Sequence, residues 1–225
     1  MRRPYTLEAP PTRSALICSD LHCRRGKPCR QLADAASLAS RLGAECLVLA
    51  GDLFEDLHEP TGREALLREL DAILGPTETP RLVVYVTSLS SHDPILQGPV
   101  YAELHGSKLI VVPGMTVLHV SGRRICVLHG DAAVPNGALA HIVNRLAALL
   151  GRPLYLERRM REKLCPDGLL IAGHTHIPGL LPDRGVGNPG SWKTLWRRGL
   201  PYWRRPSRTC IYVAEGVVRL VEAKV

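Results

Sequence analysis

No apolar run in this 225-residue sequence approaches the ~18 residues that a membrane-spanning helix needs. The longest are short pieces such as Leu47-Val48-Leu49-Ala50 and Leu169 to Ala172. The basic start Met1-Arg2-Arg3-Pro4 has no apolar stretch behind it, so a secretory signal is not expected and a cytoplasmic protein is. There is no Cys-x-x-Cys pair, no internal repeat, no low-complexity segment and no linker long enough to divide two domains. Hydrophobic residues make up 45% and charged residues 22%, which excludes a disordered chain, a collagen-like repeat and a coiled coil. The length fits one domain with a modest insertion.

Charge and cysteine are present in unbalanced numbers. Lys and Arg number 29 against 21 Asp and Glu, a net charge of +8. The excess favours an anionic substrate or partner, nucleic acid being one option, although it serves solubility equally well. Seven cysteines are scattered along the chain, and their odd number argues against a complete disulfide framework. Cys18, Cys46 and Cys126 lie inside apolar strand-like runs and read as small core residues; Cys23 and Cys29 are spaced so that they could pair across their loop.

The apolar pattern alternates between two periods. Residues 14–18, 46–50 and 82–86 read as buried strands. Between them, residues 28–42 read as a helix with Leu32, Ala35, Ala36, Ala39 and Leu42 on one face and Pro28 in its first turn. A second helix carries Leu66, Leu67, Leu70, Ile73 and Leu74. Thr61 and Glu64 form a capping box at its start, and Gly75-Pro76 ends it. Strand, helix, strand, helix, strand implies a parallel sheet. The second half changes character. Residues 108–112, 116–120 and 124–128 read as short strands with a Ser121-Gly122 turn between the last two. Two helices follow, 137–150 with Leu139, Ile142, Val143, Leu146 and Leu150 on one side, and 154–164 with Leu156, Met160 and Leu164. Then come a strand at 169–172 and a closing hairpin, 211–214 and 217–221, around Glu215-Gly216.

Five of these apolar runs stop at His or Asp on the carboxyl side. They end in Asp20-Leu21-His22, Gly51-Asp52-Leu53-Phe54-Glu55-Asp56, Ser91-His92-Asp93, His129-Gly130-Asp131 and Gly173-His174-Thr175-His176. Ligands of open α/β sheets bind outside the carboxyl ends of the strands, so the five should converge on one edge. Packing carboxylates and imidazoles together without a cation costs several kcal/mol in repulsion and desolvation. A divalent metal relieves that cost, and a mixed Asp/His set suits Mn, Fe or Zn better than an all-oxygen cage. The number of candidates suggests two metals sharing one carboxylate. Such a pair polarises a phosphoryl oxygen and yields hydroxide at neutral pH, the chemistry of phosphoester hydrolysis.

As an ordered set, the five blocks resemble those of the calcineurin-like metallophosphoesterase superfamily over about residues 14–192, and Gly187-Asn188-Pro189-Gly190-Ser191 resembles the turn after the last block. The resemblance implies a four-layered α/β/β/α sandwich. It implies that Asp20, His22 and His176 hold a first metal, that Asp52 bridges, and that His129 and His174 hold a second. His92 would contact the phosphate and help protonate the leaving oxygen, and Asp93 would orient His92. One block departs: the family's Gly-Asn is Ser90-Ser91 here, so Ser91 stands where an Asn ligand is usual, leaving the second site weaker or completed by water. The wording of four blocks is also similar to UDP-2,3-diacylglucosamine hydrolases, without settling the substrate.

These readings combine into one expectation. It is a single α/β domain over 1–225 with a helical insertion at about 132–168 that could cap the site. The activity is that of a phosphohydrolase using two divalent ions, Mn first and Fe, Zn, Ni or Co next, on phosphomono- or phosphodiesters. The alternatives are a nucleotide-linked pyrophosphate hydrolase, a nuclease, or a metal-impaired scaffold of the same fold. Trp192, Trp196 and Trp203, interleaved with Lys193, Arg197, Arg198, Arg204 and Arg205, can be a stacking surface for nucleic acid, a surface loop packed on its own rings, or a subunit contact.

Overall fold

The computed structural model describes residues 4–55, 62–75, 77–89, 92–193 and 206–223. Its first half alternates as the apolar pattern implies: β1 Thr6–Glu8, β2 Ala15–Cys18, α1 Arg30–Arg41, β3 Cys46–Ala50, α2 Arg63–Leu74 and β4 Leu82–Thr87. β2, β3 and β4 are parallel neighbours. The second half supplies β5 Val100–Leu104, β6 Ser107–Pro113, β7 Met115–Val120, β8 Arg123–Leu128, α3 Gly137–Leu149, α4 Tyr155–Leu164 and β9 Leu169–Ala172. It closes with β10 Gly179–Leu181, β11 Val186–Asn188, β12 Thr209–Ala214 and β13 Val217–Glu222.

The strands form two sheets. One runs β13-β12-β2-β3-β4-β6-β5 and the other β1-β7-β8-β9-β11-β10. Alternation along each strand sends side chains to opposite faces, and three cores follow from it. Leu16, Leu47, Leu49, Val83 and Tyr85 meet Leu32, Ala35, Ala36, Leu66, Leu70 and Ile73 of α1 and α2. Ile17, Val48, Val84 and Val86 of the first sheet meet Leu118, Ile125, Val127 and Ile171 of the second. Met115, Val117, Leu128 and Leu170 meet Met160 of α4 on the far side. The result is the expected four-layered α/β/β/α sandwich.

Several local readings change. α2 starts at Arg63 with Gly62 as its N-cap and no side-chain cap, so the expected capping box does not begin it; Thr61 lies outside the described residues. The N-cap of α1 is Cys29, which puts Pro28 just before the helix. Cys126 is not a lone core thiol: it is bonded to Cys165, and Cys23 is bonded to Cys29. The 132–168 stretch is the connection between the parallel neighbours β8 and β9. On α3 the buried residues are Ala140, His141 and Asn144, while Leu139, Ile142, Leu146, Leu149 and Leu150 are exposed. Among the described residues no helix is long and apolar enough to cross a membrane.

Candidate metal centre

Five turns bring the polar residues to one edge. Asp20 and His22 follow β2, Asp52 follows β3, His92 and Asp93 follow β4, His129 follows β8, and His174 and His176 follow β9. The turns are tight. Asp20, His22, Asp52, His174 and His176 all have φ between 47° and 67°, a left-handed backbone that non-glycine residues rarely adopt. Two glycines permit the crowding. A Cβ on Gly51 would lie 2.5 Å from the His129 ring, and one on Gly173 would collide with Ser19 and the Asp20 carboxylate.

The side chains gather into two groups able to hold a metal ion, each with its ligand atoms within 4.8 Å of one another: Asp20, His22 and His176, and Asp52, His129 and His174. His176 Nε2 is 2.8 Å from Asp20 Oδ1. Asp52 faces both groups, with Oδ1 3.3 Å from His129 Nε2 and Oδ2 4.0 Å from His22 Nε2.

Hydrogen bonds fix which nitrogens look inward. His129 Nδ1–H donates to the Ala50 carbonyl (3.1 Å), and His174 Nε2–H donates to the Val134 carbonyl (2.7 Å). With both rings neutral, the remaining nitrogens, His129 Nε2 and His174 Nδ1, would face each other as lone pairs 3.1 Å apart, so a proton or a metal cation has to lie between them. His22 Nε2 is buried with no hydrogen bond among the described residues, as a ligand atom turned toward a cation would be. The donor set thus fits divalent metal.

The electrostatics agree. Burial pushes the Asp20 carboxyl up, but the His176, His129 and His22 imidazoles outweigh it and hold it well below the usual carboxylate range. Asp52 is lowered in the same way: burial opposes, and His129 is the strongest favourable neighbour. Burial works against a charged His129, yet Asp52, Asp20, Asp131 and Asp93 raise it to about 10. His174 is lowered by burial and by His129 beside it. The pocket favours anionic carboxylates together with positive charge.

His92 stands at the rim of the first group, its ring edge-on to His22 with centroids 5.1 Å apart. Its buried Nδ1 has no hydrogen-bond partner among the described residues. Asp93 does not make the expected contact with it. Asp93 Oδ2 accepts the N–H groups of Asp52 (2.8 Å) and Ser88 (2.7 Å). Its Oδ1 accepts the Leu53 N–H (3.0 Å) and the Tyr85 hydroxyl (2.5 Å). The reason is local: the left-handed turn at Asp52 frees two buried N–H groups, which need an acceptor. Burial and the nearby Asp52 charge raise the Asp93 carboxyl. Ser91 lies outside the described residues.

Some contributors went unassigned in the sequence. Glu55 Oε2 sits 3.0 Å from His22 Nδ1 and 3.2 Å from Lys193 Nζ, so an ion pair backs the first group. Behind His174 and His176, the buried Glu157 accepts from Asn144 (2.7 Å), Thr175 (2.9 Å) and Asn188 (2.8 Å). Asn188 also donates to Gly173 and accepts from Gly190. The Gly-Asn-Pro-Gly-Ser run was the available signal for Asn188; nothing marked Glu157, which lies on an ordinary-looking helix. Trp192 is buried in the first core and donates through Nε1 to Thr209, so it is no stacking surface. Trp196, Trp203, Arg197, Arg198, Arg204 and Arg205 lie outside the described residues.

Comparison with solved structures gives low-identity likenesses. A predicted phosphoesterase from Streptococcus pneumoniae TIGR4 shares 14% identity, covering 92% of this chain and 87% of that one with a TM-score of 0.46. The phosphoesterase Yfce from E. coli shares 17% over 93% of each chain, with a TM-score of 0.45. Vps29 from Entamoeba histolytica, in complex with zinc, shares 18% over 94% and 99%, with a TM-score of 0.44. No curated protein matches the sequence. At the level of families, residues 14–202 match the calcineurin-like phosphoesterase superfamily domain. The match spans all five blocks that converge on this edge, and the chain belongs to that superfamily.

Proposed function

We propose that the chain is a divalent-metal-dependent phosphohydrolase of phosphomono- or phosphodiesters. The observation that carries this reading is the pair of facing ligand groups with Asp52 turned toward both. When bound there, two divalent ions would neutralise phosphoryl charge and acidify water. The Asp/His donor set suits Mn, Fe, Zn, Ni or Co.

The residues of the chain divide the remaining work. Asp20, His22 and His176 would hold one ion, Asp52, His129 and His174 would hold the other, and Asp52 is turned toward both groups. The Ala50 and Val134 carbonyls lock the tautomers of His129 and His174, so that each presents one fixed lone pair. Asp93 is a positioning residue, holding the turn that aims Asp52 through that turn's own backbone. His92 at the rim contacts the phosphate and gives a proton to the leaving oxygen, a reading supported by its place beside His22.

Hydrolysis of nitrophenyl phosphomonoester and phosphodiester substrates, after chelation and re-addition of Mn, Ni, Co, Mg or Zn, tests the proposal. The expected result is no turnover in chelator and recovery with Mn. Equal turnover with and without chelator, or none with any metal on either substrate, overturns it.

A further inference from the structure

Two cystines bracket parts of this molecule, Cys23–Cys29 and Cys126–Cys165, and leave Cys18, Cys46 and Cys210 as buried thiols. The three are not alike. Cys46 has no cysteine opposite it: its cross-strand partners are Ala15 and Leu82. Cys18 and Cys210 face each other. β12 and β2 run antiparallel with Ile211 opposite Ile17 and Tyr212 opposite Leu16, and the same register sets Cys210 opposite Cys18. Directly opposed residues in an antiparallel pair have Cα atoms about 4.5–5.5 Å apart. A disulfide spans about 4.4–6.8 Å. Both side chains point into the core beneath α1 and α2, and their Sγ atoms are 2.7 Å apart. Register, side-chain direction and sulfur separation are thus all those of a pair ready to bond.

We propose that Cys18 and Cys210 form a third disulfide. In its formation the two thiols lose two protons and two electrons, and one Sγ–Sγ bond replaces two S–H bonds. A low-molecular-weight disulfide takes up both and leaves as two thiols, by attack of one cysteine thiolate and then resolution by the other. Both sulfurs have 0% exposure in the folded chain, so the exchange belongs to folding, before β12 closes on β2. The consequence falls on the metal-ligand turn. Cys18 lies two residues before Asp20 and Cys23 directly after His22, so the Asp20–His22 segment is cross-linked on both sides. One bond ties it to the C-terminal hairpin and the other to the start of α1.

Thiol mapping on the full chain tests the proposal without reference to metal or substrate, so it stands or falls apart from the phosphohydrolase reading. The reduced, denatured protein is refolded in a mixture of glutathione and glutathione disulfide, denatured again, alkylated and digested. The expected result is one alkylated residue, Cys46, and a peptide pair joined through Cys18 and Cys210. Cys210→Ser should raise the alkylated residues to two, Cys46 and Cys18. Alkylation of both Cys18 and Cys210 in the wild-type chain that holds the other two cystines overturns the proposal. So does a cystine that joins either residue to a different partner.

Discussion

At the scale of single residues, left-handed backbone recurs at the candidate site. Among the described residues five candidate ligands, Asp20, His22, Asp52, His174 and His176, sit in the left-handed region. Each such conformation costs of order 1–3 kcal/mol and persists only where its surroundings enforce it. Here the enforcing groups are visible: Asp93 takes the N–H groups freed by the Asp52 turn, and Asp20 Oδ2 takes the His174 N–H at 3.1 Å. His92 is under no such constraint, so its removal should disturb chemistry more than metal. His92→Ala is expected to lower kcat by roughly 10²–10⁴ with metal content unchanged, and to lower it less for nitrophenolate leaving groups, which need no proton. Stopped assays on alkyl and nitrophenyl esters check this; an equal loss on both would leave His92 a role in holding phosphate only. Ser91 is the residue where the chain departs from its family. If it stands in for an amide ligand, Ser91→Asn should lower the Mn concentration for half-maximal activity, and a metal titration of both proteins shows whether it does.

At the scale of elements, the turns matter more than the strands that lead to them. The second half of the site is held by a buried network in which Glu157 of α4 gathers Asn144, Thr175 and Asn188, and Asn188 pins Gly173 and Gly190. Asn188→Ala would strip several of these bonds at once, and a buried group left unsatisfied costs about 1–3 kcal/mol. A fall of several degrees in Tm and a rise in the metal concentration needed for activity are expected; a wild-type Tm with wild-type metal affinity would show the network to be idle. Long, strongly patterned elements were legible in the sequence. β2, β3 and β4 are continuous apolar runs, and α1 carries one apolar face. β1, β10 and β11 escaped because three residues establish no period, and β5 because exposed and half-buried residues follow its single buried Val100. The stripe on α3 misleads for another reason. The helix turns inward the face that bonds the site, through His141 to the Thr175 carbonyl and Asn144 to Glu157, and leaves its leucines outside. Cys165 lies outside any apolar run, so nothing in the sequence singled it out as the partner of Cys126.

At the scale of the whole molecule, the candidate centre is a junction between the two sheets. Asp20, His22 and Asp52 come from one sheet, His129, His174 and His176 from the other, and each ligand group draws on both. This explains why residue spacing announced the ordered blocks while their grouping came only from the family resemblance: the strand ends announce ligands, but the packing of sheet on sheet decides which ones meet. It also makes Asp52, turned toward both ligand groups, the residue that a two-metal site needs most. Asp52→Asn preserves the shape of the side chain and removes the charge that would be shared between two cations. Metal content by elemental analysis, read together with turnover on a nitrophenyl phosphoester, is the direct test. A folded Asp52→Asn protein that has lost metal and nearly all activity is expected. A variant with the wild-type metal content and half or more of the wild-type rate would contradict the two-metal reading.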